Sequence, residues 1–393
     1  MKRTIPLFRP AAASPPMAAR LGQLCADVLQ SGVYILGPQV EALEMRLSGL
    51  LKGRETVAVG SGSEALLLAF QSLGIGSAGG GAAQDEVLLP SYTFVACAEA
   101  VLAAGARPVF VDSAADDFLP PLPHFRAART PRTRAVLAVG LFGDPTGLPE
   151  LAAYCRGERL HLIEDVAQCL GAHIGNAAGR IEPAGSWGDA AAMSFYPTKT
   201  LGGAGDAGAL AFRDPRHAQR ARLLRNHGWH DGLHHCLGHN SRMDELQACL
   251  LNAALDDFPA AMARRRANAA RYLAAWSDCP MRLPRDAPGH AWNYFVVALP
   301  GRRERDRFAA RLAAAGIATR IYYERPLHRH EALRAWRGAH ALPHSEQLSD
   351  RSLALPLYPM LGDDEVDYVI RVVRQAAVED ADAGRRGDRC DFS

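Results

Sequence analysis

Seven short apolar segments alternate with helix-like stretches between residues 55 and 212, and no other feature of the sequence constrains the fold as strongly. All seven are rich in Val, Leu, Ile or Ala. They span residues 55–60, 85–90, 107–112, 134–141, 160–165, 190–195 and 208–212. Because parallel strands are joined by crossovers that are usually helical, the pattern predicts an α/β fold with helices on both faces of a mainly parallel, seven-stranded sheet. Such sheets bind ligands beyond the carboxyl ends of their strands.

The pattern changes near residue 243, where a long stretch rich in Ala and Arg leads into shorter, mixed segments. A chain of 393 residues is also longer than one ordinary domain. We therefore predict a large domain with an N-terminal arm over residues 1–250 and a smaller C-terminal α+β domain over residues 251–378. Residues 379–393 are charged and contain glycine, which predicts a disordered tail.

Charge and composition bear on the partners of the chain. The formal net charge is +2 and the longest basic run is Arg264–Arg266, so the sequence predicts no nucleic-acid partner. It shows no apolar run of membrane-spanning length and no signal-peptide pattern, which predicts a protein without a membrane partner. The eight cysteines lack CxxC spacing and are typical of reduced thiols in a cytoplasmic protein.

Lys199 stands out because the chain otherwise carries its positive charge almost entirely on arginine. Lys2 and Lys52 are the only other lysines. A buried lysine can lose its proton and attack a carbonyl group, whereas arginine stays protonated and forms no imine. The alternative is a lysine in a loop or at a helix end. The surrounding sequence SFYPTKTLGGAG, residues 194–205, supplies hydroxyls and glycines around Lys199, and this favours a nucleophile.

Three other segments place functional groups near strand ends. GSGSE at residues 60–64 opens a helix, so its backbone N–H groups suit a phosphate, with a serine N-cap as the alternative. Another strand ends on the adjacent acids Glu164 and Asp165, which suit a ligand crevice or a structural role. PSYTF at residues 90–94 offers an aromatic ring, either as a stacking platform or as part of the core.

The sequence bears on two kinds of cofactor, a metal ion and pyridoxal 5′-phosphate. Five histidines lie between His227 and His239, but glycines interrupt the segment and no helical face is evident, so we predict no metal site. A phosphate cradle, an aromatic ring, a strand-end aspartate and a lone lysine are together what pyridoxal 5′-phosphate requires. The lysine forms an imine with this cofactor, and the aspartate keeps the pyridine nitrogen protonated.

Eight motifs in order carry a family resemblance. They are GSGSEAL, PSYTF, IEDVAQ, SFYPTKTLGGAGDAG, RNHG, GHNSRMDELQA, RPLH and LPLYPML. With them the chain resembles the nucleotide-sugar aminotransferases of the DegT/StrS group, which are fold-type I pyridoxal-phosphate enzymes, from about residue 5 to residue 373. The resemblance implies a homodimer with shared active sites. It also implies amino transfer, with L-glutamate as donor, to a keto group of a nucleotide-linked deoxysugar, for lipopolysaccharide, O-antigen or natural-product glycosylation.

The resemblance also implies roles for individual residues. Lys199 would bind the cofactor as an imine and shuttle the proton, Asp165 would pair with the pyridine nitrogen, and Gln168 would lie near the ring hydroxyl. Tyr92 would stack on the ring. The phosphate group would be held by Gly62, Ser63, Ser194 and, from the neighbouring subunit, Asn240. The sugar substrate would face Tyr34 and His328.

Two alternatives remain open at this point. Sugar dehydratases of the same scaffold have histidine in place of the lysine, which Lys199 argues against. A regulatory protein that binds the cofactor without turnover is the other alternative, and the full set of catalytic residues argues against it. The segment at residues 321–328 favours relatives that aminate C3 over C4, whereas the sequence leaves the sugar and the nucleotide open.

Overall fold

The structure is a computed structural model that describes residues 3–10 and 14–387. Its α-helices are α1 (Pro15–Ser31), α2 (Pro38–Leu50), α3 (Gly62–Ser72), α4 (Ala96–Ala103), α5 (Leu122–Ala128), α6 (Leu148–Glu158), α7 (Pro215–Leu224), α8 (Glu245–Trp276), α9 (Arg302–Ala314), α10 (Pro343–Arg351) and α11 (Asp363–Gly387). None of these described helices is long and apolar enough to cross a membrane.

The strands fall into one large sheet and three small pairs. They are β1 (Glu55–Val59), β2 (Glu86–Pro90), β3 (Arg107–Val111), β4 (Thr133–Val139), β5 (His161–Asp165), β6 (His173–Gly175), β7 (Ile181–Pro183), β8 (Ala190–Ser194), β9 (Gly208–Phe212), β10 (Trp229–His230), β11 (Leu233–His234), β12 (Phe295–Ala298) and β13 (Ser352–Leu355). The large sheet has the order β1-β9-β8-β5-β4-β2-β3. Strands β3, β2, β4, β5 and β8 pair in parallel, and β9 is antiparallel to both neighbours. The predicted mainly parallel, seven-stranded sheet is therefore confirmed.

Helices cover both faces of the sheet, as predicted. Apolar residues of α3, α4 and α7 form the core on one face, and those of α2, α5, α6 and α8 form the core on the other. Side chains alternate along a strand, so Ile163 of β5 packs on the first face and Leu162 on the second. By the same alternation, Asp165 lies on the face covered by α3 and α4.

A third core unites the C-terminal part of the chain around the β12–β13 pair, α9 and α11. Helix α8 joins it to the sheet, because its side chains pack with the sheet up to Met262 and with the third core from Ala269 onward. The predicted domain boundary between residues 250 and 251 therefore falls inside a continuous helix.

Both chain ends pack with the C-terminal core. In the N-terminal arm, Ile5 is buried there and pairs with Ile317. Arg9 adds an ion pair to Glu365 at 2.9 Å. Helix α11 extends to Gly387 and so includes residues 379–387 of the predicted tail, whereas residues 388–393 lie outside the described residues.

Candidate active site

A cavity of about 720 Å³ opens at the carboxyl edge of the large sheet. Its walls come from the N-terminus of α3, the ends of β5 and β8, the loop after β8 and a segment of the C-terminal core. Six of the ten predicted site residues line it, namely Gly62, Ser63, Asp165, Gln168, Ser194 and Lys199. The structure thus brings together residues that are up to 137 positions apart in the chain (199 minus 62).

Lys199 lies in the loop after β8, and its neighbours fix that loop. The Lys199 N–H donates to the carbonyl of Tyr196 at 2.9 Å, and the Thr200 hydroxyl donates to the carbonyl of Leu170 at 3.0 Å. The Thr198 hydroxyl bonds the Tyr294 hydroxyl at 2.9 Å. The side chain of Lys199 lines the cavity, where it can act as a nucleophile or carry a proton.

Asp165 is the buried carboxylate of the cavity, at the last position of β5. Its Oδ1 accepts from the N–H of Ala167 at 3.0 Å, and its Oδ2 accepts from the thiol of Cys97 at 3.3 Å. Burial raises the pKa of Asp165, while the Ala167 N–H and the charge of Lys199 act in the opposite direction. A carboxylate held this way can pair with a cationic ring nitrogen.

Glu164, the acid next to Asp165, has the structural role that the sequence left open. It points to the opposite face of the sheet and is fully buried. Its carboxylate accepts from the backbone N–H groups of Gly185, Trp187 and Gly188 at 2.7, 2.8 and 2.6 Å. Glu164 therefore holds the loop before β8, and Asp165 alone of the two faces the cavity.

The turn into α3 places a helix N-terminus at the cavity. Ser61 is the N-cap and accepts from the N–H of Glu64 at 3.2 Å, while Gly62 and Ser63 face the cavity. A Cβ at Gly62 would lie 2.6 Å from the Cβ of Ser194, so only glycine fits against β8. The positive end of α3 and its free N–H groups favour an anion. The residues present therefore fit pyridoxal phosphate at both ends, with the cradle at one and Asp165 at the other.

Gln168 also lines the cavity, but both ends of its amide are already bonded to protein. Its Oε1 accepts from the N–H of Phe142 at 2.8 Å, and its Nε2 donates to the hydroxyl of Tyr323 at 3.1 Å. Tyr323 lines the same cavity. Gln168 thus holds a wall of the site between the large sheet and the C-terminal core.

The structure places Phe94, and not Tyr92, at the cavity. Tyr92 is fully buried, and its hydroxyl donates to the carbonyl of Tyr322 and accepts from the N–H of Tyr323 at 2.9 Å. Phe94 lines the cavity with 53% of its surface exposed. The predicted stacking role of Tyr92 is therefore not compatible with its position, because the chain turns after β2 and carries Tyr92 into the core. We propose that Phe94 provides the stacking ring.

We expect Phe94→Ala to weaken cofactor binding by about five- to tenfold, the loss typical of one aromatic stacking contact. Tyr92→Phe is the matched control, since it keeps the ring and removes a hydroxyl that bonds only protein backbone. It is expected to lower the melting temperature while leaving cofactor affinity near that of the native chain. Equilibrium dialysis measures both affinities, and a Phe94→Ala variant that binds the cofactor as tightly as the native chain would exclude Phe94 as the stacking ring.

The two predicted substrate residues and Asn240 do not line the cavity of this chain. His328 is buried, with Nδ1 2.7 Å from the Ser91 hydroxyl and Nε2 2.9 Å from Glu346, and burial lowers its pKa. A one-turn 3₁₀ helix over Leu327–Arg329 directs His328 inward, and His330 lines the cavity instead. The substrate role predicted for His328 therefore stays a prediction without support from the cavity lining.

Tyr34 and Asn240 both lie on the surface. The Tyr34 hydroxyl donates to the carbonyl of Leu29 at 3.2 Å, and the Asn240 side chain accepts from Arg242 at 3.1 Å. Neither contacts the cavity within one subunit, so a role for either in an active site requires a second subunit.

Sequence reasoning missed much of the cavity wall. The aromatic or charged lining residues that were given no individual role are Phe94, Tyr196, Asp206, Tyr294, Arg320, Tyr322, Tyr323, Glu324, Arg325 and His330. Tyr294 and Tyr322 pack with ring centroids 4.5 Å apart, and the guanidinium of Arg320 lies 5.5 Å from the Tyr322 ring. The unusual concentration of aromatic and charged residues at 320–325 was the available signal.

A mainly parallel seven-stranded sheet, with Lys199 and the buried Asp165 lining one cavity at its carboxyl edge, is typical of fold-type I pyridoxal-phosphate enzymes. Residues 16–374 match the model of the DegT/DnrJ/EryC1/StrS aminotransferase family, and the chain belongs to that family. It is a pyridoxal-phosphate aminotransferase, and the predicted family, fold class, cofactor and enzyme class are confirmed.

Three relatives illustrate the match. A UDP-N-acetyl-3-dehydro-alpha-D-glucosamine 3-aminotransferase of Acidithiobacillus ferrooxidans is 38% identical, over 88% of this chain and 91% of that protein. A dTDP-3-amino-3,4,6-trideoxy-alpha-D-glucose transaminase of Streptomyces venezuelae is 38% identical, over 95% and 96%. The crystal structure of S. venezuelae DesV in complex with a ketimine intermediate superposes with a TM-score of 0.88 at 37% identity, covering 95% of this chain and 98% of DesV.

Proposed function

We propose that this aminotransferase moves an amino group from L-glutamate to a keto group of a nucleotide-linked deoxysugar. The observation that carries the proposal is the convergence of Lys199, Asp165 and the Gly62–Ser63 cradle on one cavity. The names of the relatives, which include UDP- and dTDP-linked amino sugars, support the substrate class. The product serves cell-surface polysaccharide or the glycosylation of a natural product.

Each part of the cavity has a step to perform. Pyridoxal phosphate, when bound, supplies an electron sink for the carbanion formed at the amino-bearing carbon. Lys199 would serve as the proton carrier at the amino-bearing carbon, first for the donor and then in reverse for the keto sugar. Asp165 would hold the ring nitrogen and the α3 cradle would hold the phosphate, which would keep the reacting carbon next to Lys199.

We infer amination at C3. Both curated relatives described above carry a 3-amino or 3-keto position in their names. Tyr322 and Tyr323, in the segment at residues 321–328, line the cavity. A sugar ring next to Lys199 would contact the protein at these residues.

A panel of purified substrates tests the function. The enzyme is given L-glutamate with UDP- and dTDP-linked sugars that carry the keto group at C3 or at C4, and the products are identified by NMR. We expect a 3-amino sugar together with release of one 2-oxoglutarate per turnover. Amination at C4 only would overturn the C3 assignment, and no amino sugar from any nucleotide-linked substrate would overturn the substrate class. If the cofactor absorbance also fails to respond to every amino acid, the chain acts as a cofactor-binding regulator instead.

We also propose that two chains complete each active site. The hairpin β10–β11 and the turn after it leave large apolar side chains on the surface, with Trp229 49%, Leu233 65% and Leu237 96% exposed. An apolar patch of this kind favours burial against another protein surface. Asn240 follows this patch directly, so a second subunit seated here would receive the Asn240 side chain near its own phosphate cradle.

Asn240→Ala tests the shared site. We expect it to weaken cofactor binding by about 1.5–3 kcal/mol, the usual worth of a hydrogen bond to a charged group, and to make retention depend more steeply on protein concentration. Mixed with Lys199→Ala chains, it should form hybrid dimers in which one site carries both lesions and the other carries none. Recovery of activity after subunit exchange is the expected result. Turnover is assayed at a cofactor concentration that leaves Asn240→Ala dimers largely unloaded, and mixtures no more active than the parent variants would show that Asn240 serves its own chain only.

A further inference from the structure

A buried cysteine contacts the aspartate of the active site, although the reaction described above gives the cysteine no role. Cys97 is in the first turn of α4 and is 1% exposed. Its thiol donates to Asp165 Oδ2 at 3.3 Å, within the 4 Å range of a sulfur hydrogen bond. The other oxygen of Asp165 is held by the Ala167 N–H at 3.0 Å.

The position of Cys97 is itself well defined. Its N–H donates to the carbonyl of Phe94 at 3.2 Å, and its Sγ lies 3.7 Å from the Thr93 hydroxyl. Thr93 and Phe94 line the cavity. The short turn between β2 and α4 therefore carries Phe94, whose ring lines the cavity, and leads three residues later to Cys97, which donates to the carboxylate of Asp165.

The chemistry of a thiol fits this position. Burial, together with the nearby charge of Asp165, raises the pKa of Cys97 well above its ordinary value, so the sulfur keeps its proton and acts as the donor. A thiol is a weak donor, and it stabilises the carboxylate less than a hydroxyl in the same place. The thiol therefore leaves the carboxylate of Asp165 more basic than a hydroxyl in the same place would, which suits a partner for a protonated ring nitrogen.

We propose that Cys97 is a positioning residue that orients the Asp165 carboxylate toward the cofactor and sets its basicity. The proposal rests on the cofactor of the family and does not depend on which sugar is the substrate. A cysteine that only fills the core is the competing explanation, because Cys97 also packs among the apolar residues of α3 and α4. The two explanations predict different effects of substitutions at Cys97 on the pH dependence of cofactor binding.

The test uses the loaded enzyme and the variants Cys97→Ala and Cys97→Ser. Bound pyridoxal phosphate is measured by equilibrium dialysis from acid to neutral pH, and its loss on acidification follows protonation of Asp165. Alanine removes a donor to the anion, which raises the pKa of Asp165, so the midpoint of cofactor loss moves to higher pH. Serine supplies a stronger donor, so the midpoint moves to lower pH. We expect cofactor affinity near neutral pH to fall by about three- to tenfold in Cys97→Ala, the range for one hydrogen bond, and to be retained in Cys97→Ser.

The other ionisable groups around Asp165 stay constant across these variants. They are Lys199, Tyr323 and Cys169. Cys155→Ala is the matched control, because Cys155 is equally buried but lies in α6 on the opposite face of the sheet. Its midpoint should coincide with that of the native chain.

Two outcomes would overturn the proposal. If alanine and serine move the midpoint in the same direction, the side chain acts through packing alone. If both variants titrate like the native chain, the thiol has no influence on Asp165. If the thermal melting curve shows that Cys97→Ala fails to fold, the serine variant decides alone. A midpoint of cofactor loss in Cys97→Ser at or above that of the native chain would then contradict a donor role.

Discussion

Lys199→Ala is expected to abolish transamination and to leave the fold intact. By the proposed role of Lys199, the variant loses both the group that would bind the cofactor carbonyl and the base that would move the proton, and proton transfer by a positioned base alone is worth about 10²–10⁴-fold. The fold should survive because the loop around Lys199 is held by its backbone and by Thr198 and Thr200. Turnover is measured as 2-oxoglutarate release under saturating cofactor.

Circular dichroism and thermal melting of the same preparation provide the control for Lys199→Ala. Added small amines should restore part of the lost rate, because they can replace a missing proton carrier in an open cavity. Activity of the alanine variant close to native, without any added amine, would remove Lys199 from the reaction.

Asp165→Asn is expected to reduce kcat by about 10²–10³-fold, the range observed when one preorganised electrostatic partner of a transition state is removed. The amide has the same size as the carboxylate but carries no charge, so it cannot keep a ring nitrogen protonated. It can still accept from the Ala167 N–H, so folding should be little affected. Single-turnover kinetics with L-glutamate separate this loss from any change in substrate binding.

Glu164→Gln is the matched control for Asp165→Asn. Glu164 is the adjacent buried acid, and its carboxylate bonds three backbone N–H groups on the other face of the sheet. The variant should melt at a lower temperature because charge-assisted hydrogen bonds are lost, while kcat at a temperature where it is folded stays within about threefold of native. Equal losses of kcat in both variants would indicate that Asp165 acts through stability and not through the cofactor.

The sheet and the chemical centre could both be predicted from the sequence. All seven strands of the large sheet coincide with the short apolar segments of the sequence. A strand that is buried on both faces of a sheet needs a continuous apolar run, and those segments show this pattern. Lys199 and Asp165 could be found for the same reason, since each follows or ends such a strand. Parallel pairing then brings these carboxyl ends to one edge without any further information.

The orientation of side chains in loops could not be predicted. Tyr92 and Phe94 follow the same strand, and only the course of the turn after β2 decides that Phe94 faces the cavity. His328 and His330 pose the same problem in a short 3₁₀ turn. The contact of Cys97 with Asp165 joins residues 68 positions apart, so local sequence patterns carry no trace of it.

Transfer of a labelled amino nitrogen tests the central claim most directly. L-Glutamate carrying an isotopic label on its amino nitrogen is incubated with the enzyme and a nucleotide-linked 3-keto sugar, and the product is examined by NMR and mass spectrometry. The account predicts that the native chain places the label on C3 of the sugar and that Lys199→Ala places none there. An amino sugar without the label, or label transfer that persists in Lys199→Ala, would contradict it.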